Sequence, residues 1–219
     1  MLFRSTILPA KYDEVTPQEV AAKQTHLTLS QQEELATMLS QFPRLFDGKL
    51  KHYPHKKVHL HLKPDAKPYQ SRPYAVPHVP CQLFKNELDR LVEQEVLAPA
   101  DRSEWSAGTF IIPKKDNRVR WVSDFRRLNA NLIRRQYELP RIQDILHRRQ
   151  GYKYFTKLDI SMQYYTFMLD EESSILCTIS TPFGLYKYLR LPMGILESPD
   201  IAQEIMEHCL RGQIGRAHV

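Results

Sequence analysis

The sequence predicts an α+β fold, a mixed sheet packed on helices, and three observations point there. Between Phe155 and Pro199, apolar strand-like runs alternate with Pro and Gly turns. GTFIIPKKDNRVRWVSD, residues 108–124, reads as two strands joined by a polar turn at Lys115, Asp116 and Asn117, a β-hairpin with a basic tip. Amphipathic stretches beginning at Pro80 and Ser198 read as helices that cover such a sheet.

From the N-terminus, residues 1–28 show no strong periodicity. TLSQQEELATMLSQFP then predicts a helix with Ser30 as N-cap, Glu33 three residues on, an apolar face of Leu35, Met38, Leu39 and Phe42, and Pro43 as the stop. VHLHLKP alternates Val58, Leu60 and Leu62 with His59, His61 and Lys63, the pattern of a half-buried strand. The two histidines are spaced to share a metal, but no third ligand of suitable spacing follows. The Pro-rich stretch KPDAKPYQSRPYAVPHVP fits neither a regular helix nor a central strand and predicts an extended linker.

Pro80 opens a helix with Leu83, Phe84, Leu88, Leu91 and Val92 inside, stopping near Pro99. DFRRLNANLI follows the hairpin as a short helix in which Asp124 and Arg126 are spaced to cap and brace. YELPRIQDILHRRQGY predicts another, with Ile142, Ile145 and Leu146 inside and Gly151 as its cap. SPDIAQEIMEHCL closes the series as a helix with Ser198 as N-cap, Pro199 at the first position and Ile201, Ile205 and Cys209 on one face.

Composition narrows the function classes. The 219-residue chain carries a net charge of +6, unevenly spread: Pro113 to Lys157 holds 13 Lys or Arg against four acids. A concentrated positive surface attracts polyanions such as nucleic acids or nucleoside triphosphates, through contacts that weaken with salt. Cys81, Cys177 and Cys209 are odd in number and widely spaced, arguing against a disulfide framework or a thiolate zinc site and for a reducing, intracellular compartment, cytoplasmic or nuclear. No apolar run approaches membrane-spanning length, so no membrane partner is expected.

One carboxylate stands out. Asp159 interrupts the apolar run of Phe155, Leu158 and Ile160, where an uncompensated charge in a strand costs several kcal/mol. A cation would neutralise it, which makes Asp159 a candidate metal ligand. A salt bridge to Lys157 or a turn cap would also satisfy it.

Taken together, SEWSAGTFIIPKKDNRVRWVSDFRRLN, YELPRIQDIL, FTKLDISMQYY, TPFGLYKYLRLPMGI and SPDIAQEIM form an ordered series of blocks that resembles the fingers and early palm of a Ty3/gypsy-type retrotransposon reverse transcriptase. The resemblance runs from about His52 to Leu210. It implies right-hand polymerase fingers with an incomplete palm at residues 51–210, preceded by a pre-polymerase region at 1–50 with its accessory helix and followed by an unrelated tail at 211–219. The implied activity is RNA-directed DNA polymerisation, nucleotidyl transfer to a primer 3′-hydroxyl with two Mg²⁺ ions as cofactor. The implied partners are a primed RNA or DNA template and deoxynucleoside triphosphates.

The resemblance also implies site residues. Asp159 matches a catalytic Mg²⁺-binding aspartate and Ile160 offers the neighbouring backbone carbonyl. Lys114, or Lys115 one register on, and Arg120 match the triphosphate clamp. Tyr164 matches the aromatic that excludes a 2′-hydroxyl, the other of Tyr164 and Tyr165 belonging to the core because strand neighbours face opposite ways. Met193 matches a position lining the nucleotide pocket. Gln163 departs from the pattern, which usually has a small residue there.

A second departure bears on activity. The family draws two more aspartates from a Tyr-x-Asp-Asp hairpin, and these 219 residues contain no adjacent Asp pair. One carboxylate cannot organise two ions, so the expectation is a polymerase fragment inactive alone, its palm sheet left with an unpaired apolar edge that a partner chain would have to cover. The expected origin is a truncation, frameshift or gene-model error before that hairpin. The alternative is a non-catalytic nucleic-acid-binding remnant or partner subunit. A metal-dependent hydrolase using His59, His61 and Asp159 is a third class.

Overall fold

The computed structural model describes residues 14–74, 78–113, 119–139, 141–147, 151 and 160–211, with side chains undescribed at 78–80, 113, 142, 145 and 146. Asp159, Lys114 and Lys115, the strand expected around Asp159, the hairpin tip and most of the tail lie outside those residues. Two compact units divide the chain, Met1–Lys51 and His52–Val219.

In the first unit, α1 (Pro17–Ala22) and α2 (Leu29–Leu39) each open on a reciprocal capping box. Thr28, not Ser30, caps α2: its hydroxyl accepts from Gln31 N at 3.4 Å while Gln31 Oε1 accepts from Thr28 N at 2.9 Å. Overlapping Thr28–Gln31 and Ser30–Glu33 pairs both satisfy the sequence rule, and the earlier one closes the box.

The second unit is a five-stranded sheet in the order β1-β5-β4-β2-β3, formed by β1 (Leu97–Pro99), β2 (Ala107–Pro113), β3 (Val119–Ser123), β4 (Thr178–Thr181) and β5 (Gly184–Tyr188). β2 and β4 run parallel, the other neighbours antiparallel, so the sheet is mixed as expected. α3 (His78–Glu93) buries Phe84, Leu88 and Leu91. Phe84 meets Trp121 of β3 edge to face at 4.9 Å between centroids, a favoured geometry for the ring quadrupoles.

Three elements depart from the sequence reading. α3 ends at Glu93, short of Pro99, because Glu95 turns into the left-handed region at φ 55° and hands the chain to β1. Residues 58–62 make only the bridges Val58↔Leu169 and Leu62↔Leu132 instead of a strand. Ile160–Thr166 is likewise no strand: Met162 is left-handed at φ 51° and a 3-10 helix follows over Gln163–Thr166.

Around the sheet stand α4 (Arg126–Asn131), α5 (Ile142–His147), α6 (Glu171–Leu176) and α7 (Ser198–Cys209). The N-cap of α6 is Asp170, whose side chain accepts from Ser173 N at 2.9 Å. α7 takes Glu197 as N-cap with Ser198 inside the helix, and it buries Ser198, Asp200, Ala202, Gln203 and Ile205 while Cys209 is exposed. The buried face therefore runs through Ala202 rather than Cys209.

Candidate nucleotide and nucleic-acid site

On a strand, residues two apart share a face. Arg120 therefore shares the face of Val122, and its cross-strand partner Ile112 shares the face of Phe110. Val122 and Phe110 line an open cleft of about 550 Å³, together with Tyr74, Ser123, Asp124, Phe125, Arg126, Asn129 and Gly194. Arg120 is exposed and stands beside this cleft on the hairpin.

Gly194, in the turn that carries Met193, also lines the cleft. Asn129 Nδ2 donates to Gly194 O at 2.8 Å, and Leu196 N donates to Asn129 Oδ1 at 2.9 Å, so one side-chain amide staples both flanks of the turn to α4. Gly194 itself adopts φ 96°, a conformation glycine reaches without Cβ strain. Met193 is 53% exposed at the tip.

At the floor, Asp124 accepts from Arg126 Nε at 2.8 Å and Nη2 at 2.6 Å, and from Tyr74 OH at 3.3 Å. The Arg126 hydrogen bonds hold the Asp124 carboxyl down at about 2. The pair braces as read from the sequence, but the N-cap of α4 is Phe125, with no side-chain cap hydrogen bond. Tyr74 packs on Phe110 edge to face and lies so close to Gly108 that a Cβ there would meet its ring at 2.7 Å.

The remaining described candidates lie elsewhere. Tyr164 is half-buried on the 3-10 helix, and desolvation raises its phenol pKa. Tyr165 is buried beside it, with desolvation raising its phenol further. Ile160 is 41% exposed. None of Ile160, Tyr164, Arg120 and Met193 lines the cleft itself, although Gly194 beside Met193 does.

Two supports had no clear sequence signal. Arg190, 3% exposed, donates from Nε to Glu95 O and from Nη1 to Tyr165 O, both at 3.0 Å, tying the start of β1 to the 3-10 helix. The buried Tyr188 hydroxyl accepts from Trp121 Nε1 and shares a hydrogen bond with Ser123, each at 3.0 Å, while burial pushes its phenol up to about 12. Strand alternation in β5 would have turned Tyr188 inward, but nothing in sequence marks the hydroxyl's partners.

His59 Nδ1 pairs with Asp170 Oδ2 at 2.6 Å, and the His59 and His61 rings meet at 4.5 Å. Desolvation, then the nearby Arg135 charge, lowers the His61 pKa. Among the described residues no cluster of three or more His, Cys, Asp or Glu could hold a metal ion, so these residues do not by themselves form a Mg²⁺ site. Nor is any helix among them long and apolar enough to cross a membrane.

The mixed sheet with helices around it, and a cleft lined from the β2–β3 hairpin, α4 and Gly194, is a frame found in known proteins. Residues 112–219 match the family model described as reverse transcriptase (RNA-dependent DNA polymerase). The retrovirus-related Pol polyprotein from transposon gypsy of Drosophila melanogaster is 31% identical over 158 residues, 69% of this chain and 15% of that protein. The crystal structure of a prototype foamy virus protease-reverse transcriptase CSH mutant superposes with a TM-score of 0.69 at 25% identity, over 93% of this chain and 27% of that one. A foamy viral protease-reverse transcriptase in complex with RNA/DNA hybrid has the same fold, with a TM-score of 0.69 at 18% identity over 93% of this chain and 28% of that one. The chain belongs to the reverse transcriptase family, in the fingers and partial palm region, and is related to the gypsy-type retrotransposon enzymes. It spans only part of the length of curated relatives such as these, from 13% to 23%.

Proposed function

We propose that the chain is the fingers and partial palm of an RNA-directed DNA polymerase, which holds a primed template and an incoming deoxynucleoside triphosphate. The observation that supports this reading is the cleft beside the β2–β3 hairpin: Arg120 shares the strand face of Val122, which lines it, and the Asn129 staple holds the turn whose Gly194 lines it too. Arg120 and Lys114 bind the triphosphate, because a guanidinium and an ammonium neutralise charge that gathers on the leaving pyrophosphate. Tyr164 packs against the sugar and excludes a 2′-hydroxyl. Met193 and the Ile160 backbone, outside the lining of that cleft, are the further nucleotide contacts in this reading.

Asp159 is the Mg²⁺ ligand in this reading. With no adjacent Asp pair in these 219 residues, the chain by itself binds without transferring nucleotide. A longer protein or a partner chain that supplies two further carboxylates restores transfer. The foamy viral relative seen with RNA/DNA hybrid and the local excess of Lys and Arg between Pro113 and Lys157 support nucleic acid as the partner.

The test is Mg²⁺-dependent incorporation of deoxynucleotide onto a primed RNA template by the purified chain, beside Asp159→Asn, with binding to the same template measured across salt. Salt-sensitive binding without incorporation is the expected result. Incorporation that Asp159→Asn abolishes would show that the chain finds its own second and third ligands. Absence of template binding would sink the polymerase reading.

A further inference from the structure

Ser123 and Phe125 line the cleft, and one buried residue, Tyr188, touches both. Its hydroxyl shares a hydrogen bond with Ser123 Oγ at 3.0 Å, and its ring meets the Phe125 ring edge to face at 5.8 Å between centroids. Resting on the polymerase reading above, we propose that Tyr188 is a positioning residue whose hydroxyl fixes Ser123 in the orientation in which the cleft binds a primed template.

Tyr188 suits this role because it is itself held. On β5 it pairs with Leu97 of β1, Ser174 Oγ donates to its carbonyl at 2.6 Å, and its N–H donates to Cys177 O at 3.3 Å. Its ring also lies 6.3 Å from that of Tyr165 on the 3-10 helix. A side chain fastened at the backbone and packed on two rings has little freedom to carry its hydroxyl elsewhere.

The hydroxyl belongs to a chain that runs through four side chains: Trp121 Nε1 donates to Tyr188 OH at 3.0 Å, and Thr109 Oγ1 donates to Ser123 Oγ at 3.1 Å. An indole N–H only donates, so Tyr188 accepts there and keeps its own proton for Ser123. Bonds in such a buried chain strengthen one another. A serine hydroxyl would otherwise turn among its staggered rotamers, and a ligand that meets it would have to fix it on binding. The β2–β3 ladder already pairs Thr109 with Ser123 through the backbone, so the hydroxyl chain adds side-chain order where the strand register is set without it.

Tyr188→Phe tests this, because it keeps the ring against Phe125 and removes only the hydroxyl. Affinity for a primed RNA template is measured by fluorescence anisotropy across salt, at a temperature where circular dichroism shows both proteins folded. The variant should bind about fivefold more weakly at every salt concentration, the scale of one hydrogen bond, with an unchanged salt slope because no phosphate contact is lost. Ser123→Ala should weaken binding to a similar extent, and the double variant should bind no more weakly than Tyr188→Phe, since both changes cut the same link. The chain has two tryptophans, Trp105 and Trp121. With nitrogen-15 in both indoles, template binding should shift the Trp121 resonance in the parent and shift it less in Tyr188→Phe. A variant that melts lower but binds the template as the parent does would show that the hydroxyl only stabilises the fold. Additive losses in the double variant would show that Tyr188 does not act through Ser123. Either result overturns the inference and leaves the polymerase reading standing. Should Tyr188→Phe fail to fold, the Trp121 resonance of the parent decides, and no shift on template binding overturns the inference. If the parent chain binds no primed template at any salt, the polymerase reading fails and this inference with it.

Discussion

Asn129 and Gly194 are joined side chain to backbone across 65 residues of sequence, with Asn129 Nδ2 donating to Gly194 O at 2.8 Å. The same amide accepts from Leu196 N at 2.9 Å, so both polar atoms of Asn129 are spent on one turn. Met193 stands at the tip of that turn, whose attachment to α4 depends on the amide. Asn129→Ala should cost about 1–2 kcal/mol for the two lost bonds, read as a lower urea midpoint. Asn129→Asp keeps the acceptor for Leu196 N and loses the donor, so it should fall between. An unchanged midpoint in Asn129→Ala would mean that the turn holds itself.

Gly108 sits against Tyr74, where an added Cβ would lie 2.7 Å from the ring and 3.3 Å from Arg72 O. The ring can swing because Tyr74 is exposed, but the carbonyl belongs to the backbone. Gly108→Ala should therefore destabilise by about 1–3 kcal/mol, the usual scale of overpacking. Tyr74→Ala in the same chain should recover part of it, and the coupling in a double-mutant cycle measures how much of the cost is the ring.

Much of this arrangement was legible beforehand, for physical reasons. Two runs of β-formers around a polar turn can only pair with each other, so the β2–β3 hairpin was readable, and the helical spacing of Phe84, Leu88 and Leu91 gave the inner face of α3. The misses fall where local rules were satisfied twice or overridden. Thr28 and Ser30 both begin a capping box, and sequence does not rank them. Alternation at 58–62 is real, with Val58 and Leu60 buried, but it records burial and not a continuous partner strand. The strand expected through Tyr164 failed because Met162 turns left-handed, and no residue preference predicts that for methionine. Arg190 and Tyr188 act through partners 95 and 67 residues away, which no local pattern encodes.

Arg190 shows what such a distant partner is worth. Its guanidinium is buried while two of its donors meet the carbonyls of Glu95 and Tyr165. Arg190→Met fills the space but leaves those carbonyls without this donor. A loss of about 2–4 kcal/mol is expected, with the 3-10 helix loosened first, so amide hydrogen exchange should accelerate at Tyr165 and Phe167 before the rest of the sheet. Uniform acceleration across the second unit would argue against a local role.

The Asp124–Arg126 pair sets a pH dependence whose sign is fixed. Arg126 holds the folded-state Asp124 pKa down at about 2, below the value of about 3.9 that an aspartate has in an unfolded chain. A depressed carboxyl pKa adds stability that is fully present above the unfolded value and is lost as pH falls through the folded one. The urea midpoint of the parent chain should therefore decline toward that of Asp124→Asn between about pH 4 and pH 2, and the two should differ by a constant amount from pH 5 to pH 7. Arg126 is largely exposed, so high salt should shrink that constant difference. A gap between the two proteins that persists unchanged at pH 2 would mean the carboxyl works through shape, as a hydrogen-bond acceptor for Tyr74 and the Arg126 backbone, rather than through its charge.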